Sequence, residues 1–306
     1  MPASLRPRRS ALYVPGSNAR AIAKAKTVPA DVLIFDLEDS VATGQKDSAR
    51  EAVATAVAEL TAATRSSSAL TLSTRLGSLA TSPPWSRSSQ TRCSFPRSSA
   101  PTTSVARAAL AAANAPKTLD LWVMIETPAA ILNAAAIAAI AAIPPPSITG
   151  FVIGTNDLLA EIGAPPQPGR AALIPHLSQA LLAARAHGLV ILDGTFNDLD
   201  DKRALRAECL QGRDMGMDGK TVIHPIQVPI ANEAFSPDVE ELAWARRVVD
   251  AFAQPDNSGV EVMRLAGRMV ERLHERATCR MLALANAIEA MDKETKEKGK
   301  TRATSI

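Results

Sequence analysis

Two carboxylates close apolar runs in the middle of the chain. Glu126 follows Leu121-Trp122-Val123-Met124-Ile125, and Asp157 follows Phe151-Val152-Ile153-Gly154-Thr155-Asn156. A third acidic group, Asp36-Leu37-Glu38-Asp39, closes the run from Asp31 to Phe35. Carboxylate oxygens are hard donors. Two or three of them converging on one point suit Mg²⁺, which takes one or two carboxylates and leaves its other positions to water and substrate. A cation held so openly polarises a carbonyl and stabilises an enolate or oxyanion. An acid at a strand end also serves as a helix cap or lies at a solvated edge, and spacing alone leaves both roles open.

Chemistry of this kind needs elements that bring the acids to one edge. Ala11–Val14 reads as a strand, Pro15-Gly16-Ser17-Asn18 as a turn with a helix cap, and Ala19–Val28 as a helix. Asp31–Asp39 reads as a buried strand and Lys46–Ala63 as an Ala-rich amphipathic helix. After a gap, strand and helix alternate again. Leu119–Thr127 is a strand and Ala129–Ile143 a helix, then Ile148–Gly154 a strand with helices over Asp157–Ile162 and Ala171–His187. Leu189–Gly194, Asp200–Gly212 and Lys220–His224 continue the rhythm as strand, helix, strand. That order predicts a parallel sheet with crossover helices, which keeps its chemistry at the carboxyl ends of the strands. Ser236–Phe252 and Gly267–Met291 read as further helices, and Asp292–Ile306 as a frayed charged tail.

Bulk properties narrow the function classes. The 306 residues suffice for one large α/β domain or two smaller ones. The formal charge of +3 rests on Arg65, Arg75, Arg87, Arg92 and Arg97; without them the balance is 3 − 5 = −2. Ten aromatic residues, none interleaved with a basic stripe, leave nothing for stacking recognition, so nucleic acid is not the expected partner. No apolar run reaches the length of a membrane span. Met1–Ser10 reads as too short for a secretory or transit signal. Cys93, Cys209 and Cys279 form neither a disulfide framework nor a CxxC pair, which fits a reducing compartment: the cytoplasm first, the mitochondrial matrix as the other location.

One segment breaks the pattern. From Leu60 to Leu119 the chain has no Asp or Glu, and 13 of the 41 residues from Arg65 to Val105 are serine. Composition there favours a disordered linker. A gap of that size inside a regular α/β alternation would, however, delete about two strands and a helix. In a shifted frame with GC-rich codons, Ser73-Thr74-Arg75 becomes Val-Asn-Ala, and Ser94–Ser99 becomes a run resembling Val-Ser-Lys-Val-Glu-Ser. A frame error or out-of-frame splice, entering near Thr71 and leaving near Val105, accounts for both observations.

Six motifs occur in order: Arg9-Ser10-Ala11-Leu12-Tyr13-Val14-Pro15-Gly16-Ser17, Asp36-Leu37-Glu38-Asp39-Ser40-Val41, Ile125-Glu126-Thr127-Pro128, Gly154-Thr155-Asn156-Asp157-Leu158, Gly219–Gln227 and Gly267-Arg268-Met269-Val270. Together they resemble the citrate lyase β-subunit-like branch of the HpcH/HpaI aldolase superfamily, over about 1–64 and 106–290. The resemblance implies a modified TIM (β/α)₈ barrel over 1–230, interrupted at 65–105, with a C-terminal helical extension over 231–291 and a charged tail. It implies a homotrimer and Mg²⁺ held by Glu126 and Asp157. The implied reaction is carbon–carbon cleavage of a β-hydroxyacyl-CoA or acyl thioester (citryl, malyl or citramalyl) into an acyl thioester and a 2-oxo acid.

Other residues receive roles on the same footing. Asp39 faces the site as a catalytic residue that acts through water or charge positioning, with Glu38 a weaker second candidate. Arg20 and Lys24, on the helix after Pro15-Gly16-Ser17-Asn18, are placed for CoA phosphates. Glu126 also borders the substrate. Glu271 stands where relatives carry an Asp that enters the adjacent subunit's site. His224 is a supporting residue, and His176, His187 and His274 carry no chemistry. Relatives have an Arg-Val-Asn strand whose arginine pairs with the substrate carboxylate, and Arg75 is the nearest guanidinium to it. Two further readings follow: a malate-synthase- or thioesterase-like activity on acyl-CoA and glyoxylate, and an impaired subunit that lacks the substrate arginine.

Overall fold

The computed structural model describes residues 6–63, 69–73, 91–95, 120–142 and 147–303. Eight strands stand in chain order: β1 Ser10–Pro15, β2 Val32–Asp36, β3 Ala69–Ser73, β4 Thr91–Phe95, β5 Asp120–Ile125, β6 Ser147–Ile153, β7 Val190–Asp193 and β8 Gly219–Val222. Each pairs in parallel with the next, and β8 returns to pair with β1, so the sheet closes on itself. Closure leaves no strand edge among these eight. Two of them, β3 and β4, come from the serine-rich segment. The expectation of two lost strands is therefore corrected: backbone there ladders with β2 on one side and β5 on the other. The frame-error reading otherwise falls on residues outside those described.

Helices α1 Ala19–Ala25, α2 Lys46–Ala63, α3 Pro128–Leu132, α4 Ala134–Ala139, α5 Thr155–Ile162, α6 Ile174–Ala186, α7 Lys202–Met215 and α8 Val228–Ala234 connect or follow the strands. The apolar stripe of α2 (Ala49, Val53, Ala56 and Val57) is buried with the outward faces of the strands. Spacings of four, three and one residues put these on one helical face, which is why an Ala-rich sequence of low hydrophobicity still docks. The expected single helix over 129–143 is two, broken at Asn133, whose side-chain amide donates to the Ala129 carbonyl at 2.8 Å. A side chain that competes for a main-chain carbonyl interrupts the ladder.

A separate layer fills the barrel. Ala11, Val32, Ile34, Trp122, Met124, Val152 and Leu192 pack together, with Tyr13 and Val190 against them. These are alternate residues of neighbouring strands, as the period of two demands. No described helix is long and apolar enough to cross a membrane.

The described chain forms two compact units, with the division after Phe235. In the second, α9 Val239–Ala253 is followed by β9 Val262–Leu265, β10 Arg268–Glu271 and α10 Arg272–Ala303. Two expectations are corrected here. Gly267–Glu271 is not helix but the second half of an antiparallel hairpin, turned on Ala266 and Gly267 with φ of 49° and 82°. The charged tail is not frayed either, since α10 continues through it to Ala303. Asp238 caps α9 by accepting from the Glu241 N–H at 2.7 Å, while the Glu241 carboxylate accepts from the Asp238 N–H at 2.9 Å.

Candidate functional site

Glu126 occupies the single position between the last residue of β5 and the cap of α3. Thr127 Oγ1 accepts the Ala130 N–H at 3.1 Å, and Pro128 takes the first helical position, where its missing N–H costs nothing. Strand end and helix start thus leave Glu126 no slack, and it is 4% exposed. The next strand supplies its wall. The Gly154 N–H donates to the Ile125 carbonyl at 3.0 Å, and a Cβ on Gly154 would fall 2.4 Å from Glu126 Cβ and 2.7 Å from its Oε2. Only a glycine leaves room for the glutamate.

Asp157 lies three residues beyond that glycine, in the first turn of α5, half-buried. The positive end of a helix favours a carboxylate there. The turn is tied down from its other side. Thr155 is buried, its Oγ1 2.4 Å from where a Cβ of Gly194 would stand, and Asn156 and Asn197 exchange side-chain amide hydrogen bonds at 3.2 and 2.9 Å.

Both acids act on Tyr13 of β1. Burial first, and then the charges of Asp36, Glu126, Asp39 and Asp157, push its phenol well above the ordinary range. Four carboxylates named in the sequence reading, beyond the ends of β2, β5 and β6, thus lie within electrostatic range of Tyr13. Among the described residues, however, no three or more His, Cys, Asp and Glu side chains are grouped as metal ligands. The structure brings together the acids but does not make the third cluster a ligand set.

The expected β2 strand over 31–39 stops at Asp36, because that carboxylate folds the chain back: it accepts the N–H groups of Glu38 at 2.8 Å and Ser40 at 3.0 Å. Glu38 is buried, with Lys46 Nζ at 3.3 Å, and Asp39 is exposed on the turn. Arg20 and Lys24 are both exposed on α1, a seven-residue helix capped by Asn18. Arg75 lies outside the described residues. Glu271 ends β10 in the second unit, half-buried, where its N–H donates to His274 Nδ1 at 3.0 Å. His274 thus has a capping role that sequence reading missed. His224 is exposed, and its Nδ1 accepts the Ile226 N–H at 3.2 Å.

Sequence reading also missed a buried ion cluster beside the site. Lys220 of β8 and Asp193 of β7 are both fully buried, with Nζ and Oδ2 3.0 Å apart. Lys220 also donates to Glu208 at 2.6 Å and to the Gly194 carbonyl at 2.5 Å. Arg170 Nη1 reaches both Asp193 oxygens at 2.7 and 2.9 Å. Burial works to raise the Asp193 pKa, but the two cations outweigh it and hold the carboxyl below its usual range. Burial likewise works to lower the Lys220 pKa, and Asp193 and Glu208 reverse it. Nearby Cys209 is pushed up to about 12, by burial foremost. A lysine inside an expected strand was the signal; its partners, 27 and 12 residues away, were not visible.

A cavity of about 870 Å³ opens on the outer side of α5, lined by Leu159, Arg170, Phe196, Glu208 and Gln211 among others. Neither Glu126 nor Asp157 lines it. The acids at the strand ends, rather than this cavity, mark the candidate active site.

The chain is 42% identical over 287 residues to the (3S)-malyl-CoA thioesterase of Cereibacter sphaeroides strain ATCC 17029, covering 93% of this chain and 96% of the relative. It is 28% identical over 279 residues to the citrate lyase subunit beta of Escherichia coli K12, covering 87% and 89%. Its fold is similar to that of protein CitE from Mycobacterium tuberculosis, solved with magnesium, acetoacetate and coenzyme A. The TM-score is 0.68 at 28% identity, over 93% of this chain and all of the other. Residues 9–225 match the family model described as HpcH/HpaI aldolase/citrate lyase, and the chain belongs to that family.

Proposed function

We propose that this protein is a Mg²⁺-dependent enzyme of malyl-type CoA thioesters, with Glu126 and Asp157 as the protein ligands of the metal. The observation that carries the reading is the placement of Glu126 just after β5 and of Asp157 in the first helical turn after the adjoining β6, with the Gly154 backbone fitted to Glu126. The residues fit the ion. Both are hard oxygen donors, and two carboxylates are the complement Mg²⁺ ordinarily takes from a protein. When bound, the cation supplies Lewis acidity toward an oxygen of the substrate.

The chain's own residues do the rest. Glu126, fixed between a ladder and a cap, presents its carboxylate without a conformational search. Asp39, exposed on the turn after β2, stands open to position water or charge beside the substrate. Arg20 and Lys24 are exposed on α1 to meet the CoA phosphates. Glu271, on the second unit, is proposed to act from a neighbouring subunit of a homotrimer, over a modified (β/α)₈ barrel.

The 42% identical thioesterase favours hydrolysis: water adds to the thioester carbonyl carbon, the C–S bond breaks, and CoA leaves as the thiol with a free 2-hydroxy acid. The citrate lyase relatives favour a second reading, in which the bond between the 2-hydroxy carbon and its neighbour breaks to give a 2-oxo acid and an acyl-CoA. Product analysis separates them, since only hydrolysis frees the CoA thiol and only cleavage yields a carbonyl that traps with phenylhydrazine. The site itself is tested by calorimetry: Glu126→Gln should abolish Mg²⁺ uptake by the folded protein, and unchanged affinity would move the site elsewhere.

A further inference from the structure

Alternation along the strands sorts the barrel interior into levels. Tyr13 pairs with Ile34, Met124 with Val152, and Val152 with Leu192; all five belong to the inner cluster. Two residues further along the same strands come Asp36, Glu126, Gly154 and Gly194. A two-residue advance is roughly 6.6 Å, about the reach of a phenol. Tyr13 therefore roots its ring among apolar side chains and ends its hydroxyl at the level of the acids, whose charges fall on it.

Of the five side chains gathered here (Tyr13, Asp36, Asp39, Glu126 and Asp157), four are carboxylates, whose oxygens accept hydrogen bonds. An oxygen of the substrate that gains negative charge among them needs a hydrogen to receive, and the phenol is the one group of the five that carries one. We propose that Tyr13 is a substrate-positioning residue, whose hydroxyl donates a hydrogen bond to the C2 oxygen of the 2-hydroxy or 2-oxo acid portion held at Glu126 and Asp157. The inference rests on the functional reading above and serves hydrolysis and cleavage alike. No proton is transferred; the phenol keeps its hydrogen throughout.

Tyr13 is the sole tyrosine of the chain, so labelling with [¹³Cζ]tyrosine gives one resonance that reports on its hydroxyl. The full-length protein is titrated with oxalate, a planar mimic of a 2-oxo acid, in the presence of Mg²⁺. The resonance should move with oxalate saturation. Tyr13→Phe, which keeps the ring and its packing, should bind Mg²⁺ within about threefold of the parent and oxalate about tenfold more weakly, the size of one hydrogen bond. A resonance that stays fixed while calorimetry shows oxalate bound would overturn the role of Tyr13, as would equal oxalate affinity in the variant. Those results leave the metal site standing if Glu126→Gln still loses Mg²⁺. A parent protein that takes up neither Mg²⁺ nor oxalate overturns both readings together.

Discussion

Two groups of acids stand at neighbouring strand ends of one barrel, and their surroundings are opposite. At β7 and β8, Asp193 and Glu208 meet Lys220 and Arg170, so that two carboxylates face two cations drawn from the chain itself. At β1, β2, β5 and β6, four carboxylates converge on a neutral phenol. Residue type at a strand end does not separate the two; the local charge inventory does. In the first group the chain's own lysine and arginine hold the Asp193 carboxyl below its usual range, while in the second the carboxylates push the Tyr13 phenol above its own. A buried acid with internal counterions is thus a structural element even when it stands as near the barrel mouth as a catalytic one.

The contrast can be broken at either end. Lys220→Met leaves Asp193 and Glu208 facing one cation instead of two, and the loss of a buried partner should cost about 3–5 kcal/mol in urea unfolding. Mg²⁺ affinity of the folded fraction should change less than about threefold if the cluster is structural; a large loss would merge the two regions. The same cluster sets a pH signature. The folded Asp193 pKa lies below its unfolded value of about 3.9, so its contribution is full above that and disappears as pH falls through the folded value. The folded Lys220 pKa is raised, so its contribution is full below about 10.4 and disappears as pH rises through the folded value. Melting temperature should therefore be level from about pH 5 to 9 as far as these groups decide it, and Lys220→Met should remove the alkaline limb.

Effects at the other group should be on ligands rather than on folding. Asp157→Asn should weaken Mg²⁺ about a hundredfold by calorimetry, near 2.7 kcal/mol, with a melting temperature close to the parent's. Gly154→Ala drives a methyl into Glu126 and should lower Mg²⁺ affinity about tenfold, near 1.4 kcal/mol, by turning the carboxylate aside. A variant with unaltered affinity would show that the fit of glycine to glutamate is packing alone. The smallest effect is expected for Thr127→Ala, which removes the cap of α3 and should cost about 1 kcal/mol of stability.

Much of this was legible in the sequence. Apolar runs that stop at an acid marked β2, β5 and β6, and the Ser17-Asn18 pair marked where α1 begins. The acids at issue were named from spacing and ordered motifs. What escaped detection had tertiary causes. The hairpin of β9 and β10 turns on Ala266 and Gly267, and an alanine at the first left-handed position, where Asn or Asp is the usual residue, weakened the turn signal that the glycine gave. Arg170 also has positive φ, and its partners lie 23 and 38 residues on. Tyr13 was quoted only as part of a strand motif. Its significance needs the closure of β1 against β2, with β5 and β6 contributing to the same level, which a linear reading does not supply. Strands β3 and β4 were missed because a ladder needs main-chain partners more than favourable side chains.

The close seating of Gly154 on Glu126 also constrains descent. Two positions 28 residues apart behave as one heritable unit: a lineage that keeps the acid cannot enlarge the glycine, and a lineage that has lost the acid is released from keeping it. Paired drift at these two sites, in any set of descendants, would therefore date the abandonment of metal chemistry more sharply than either site alone.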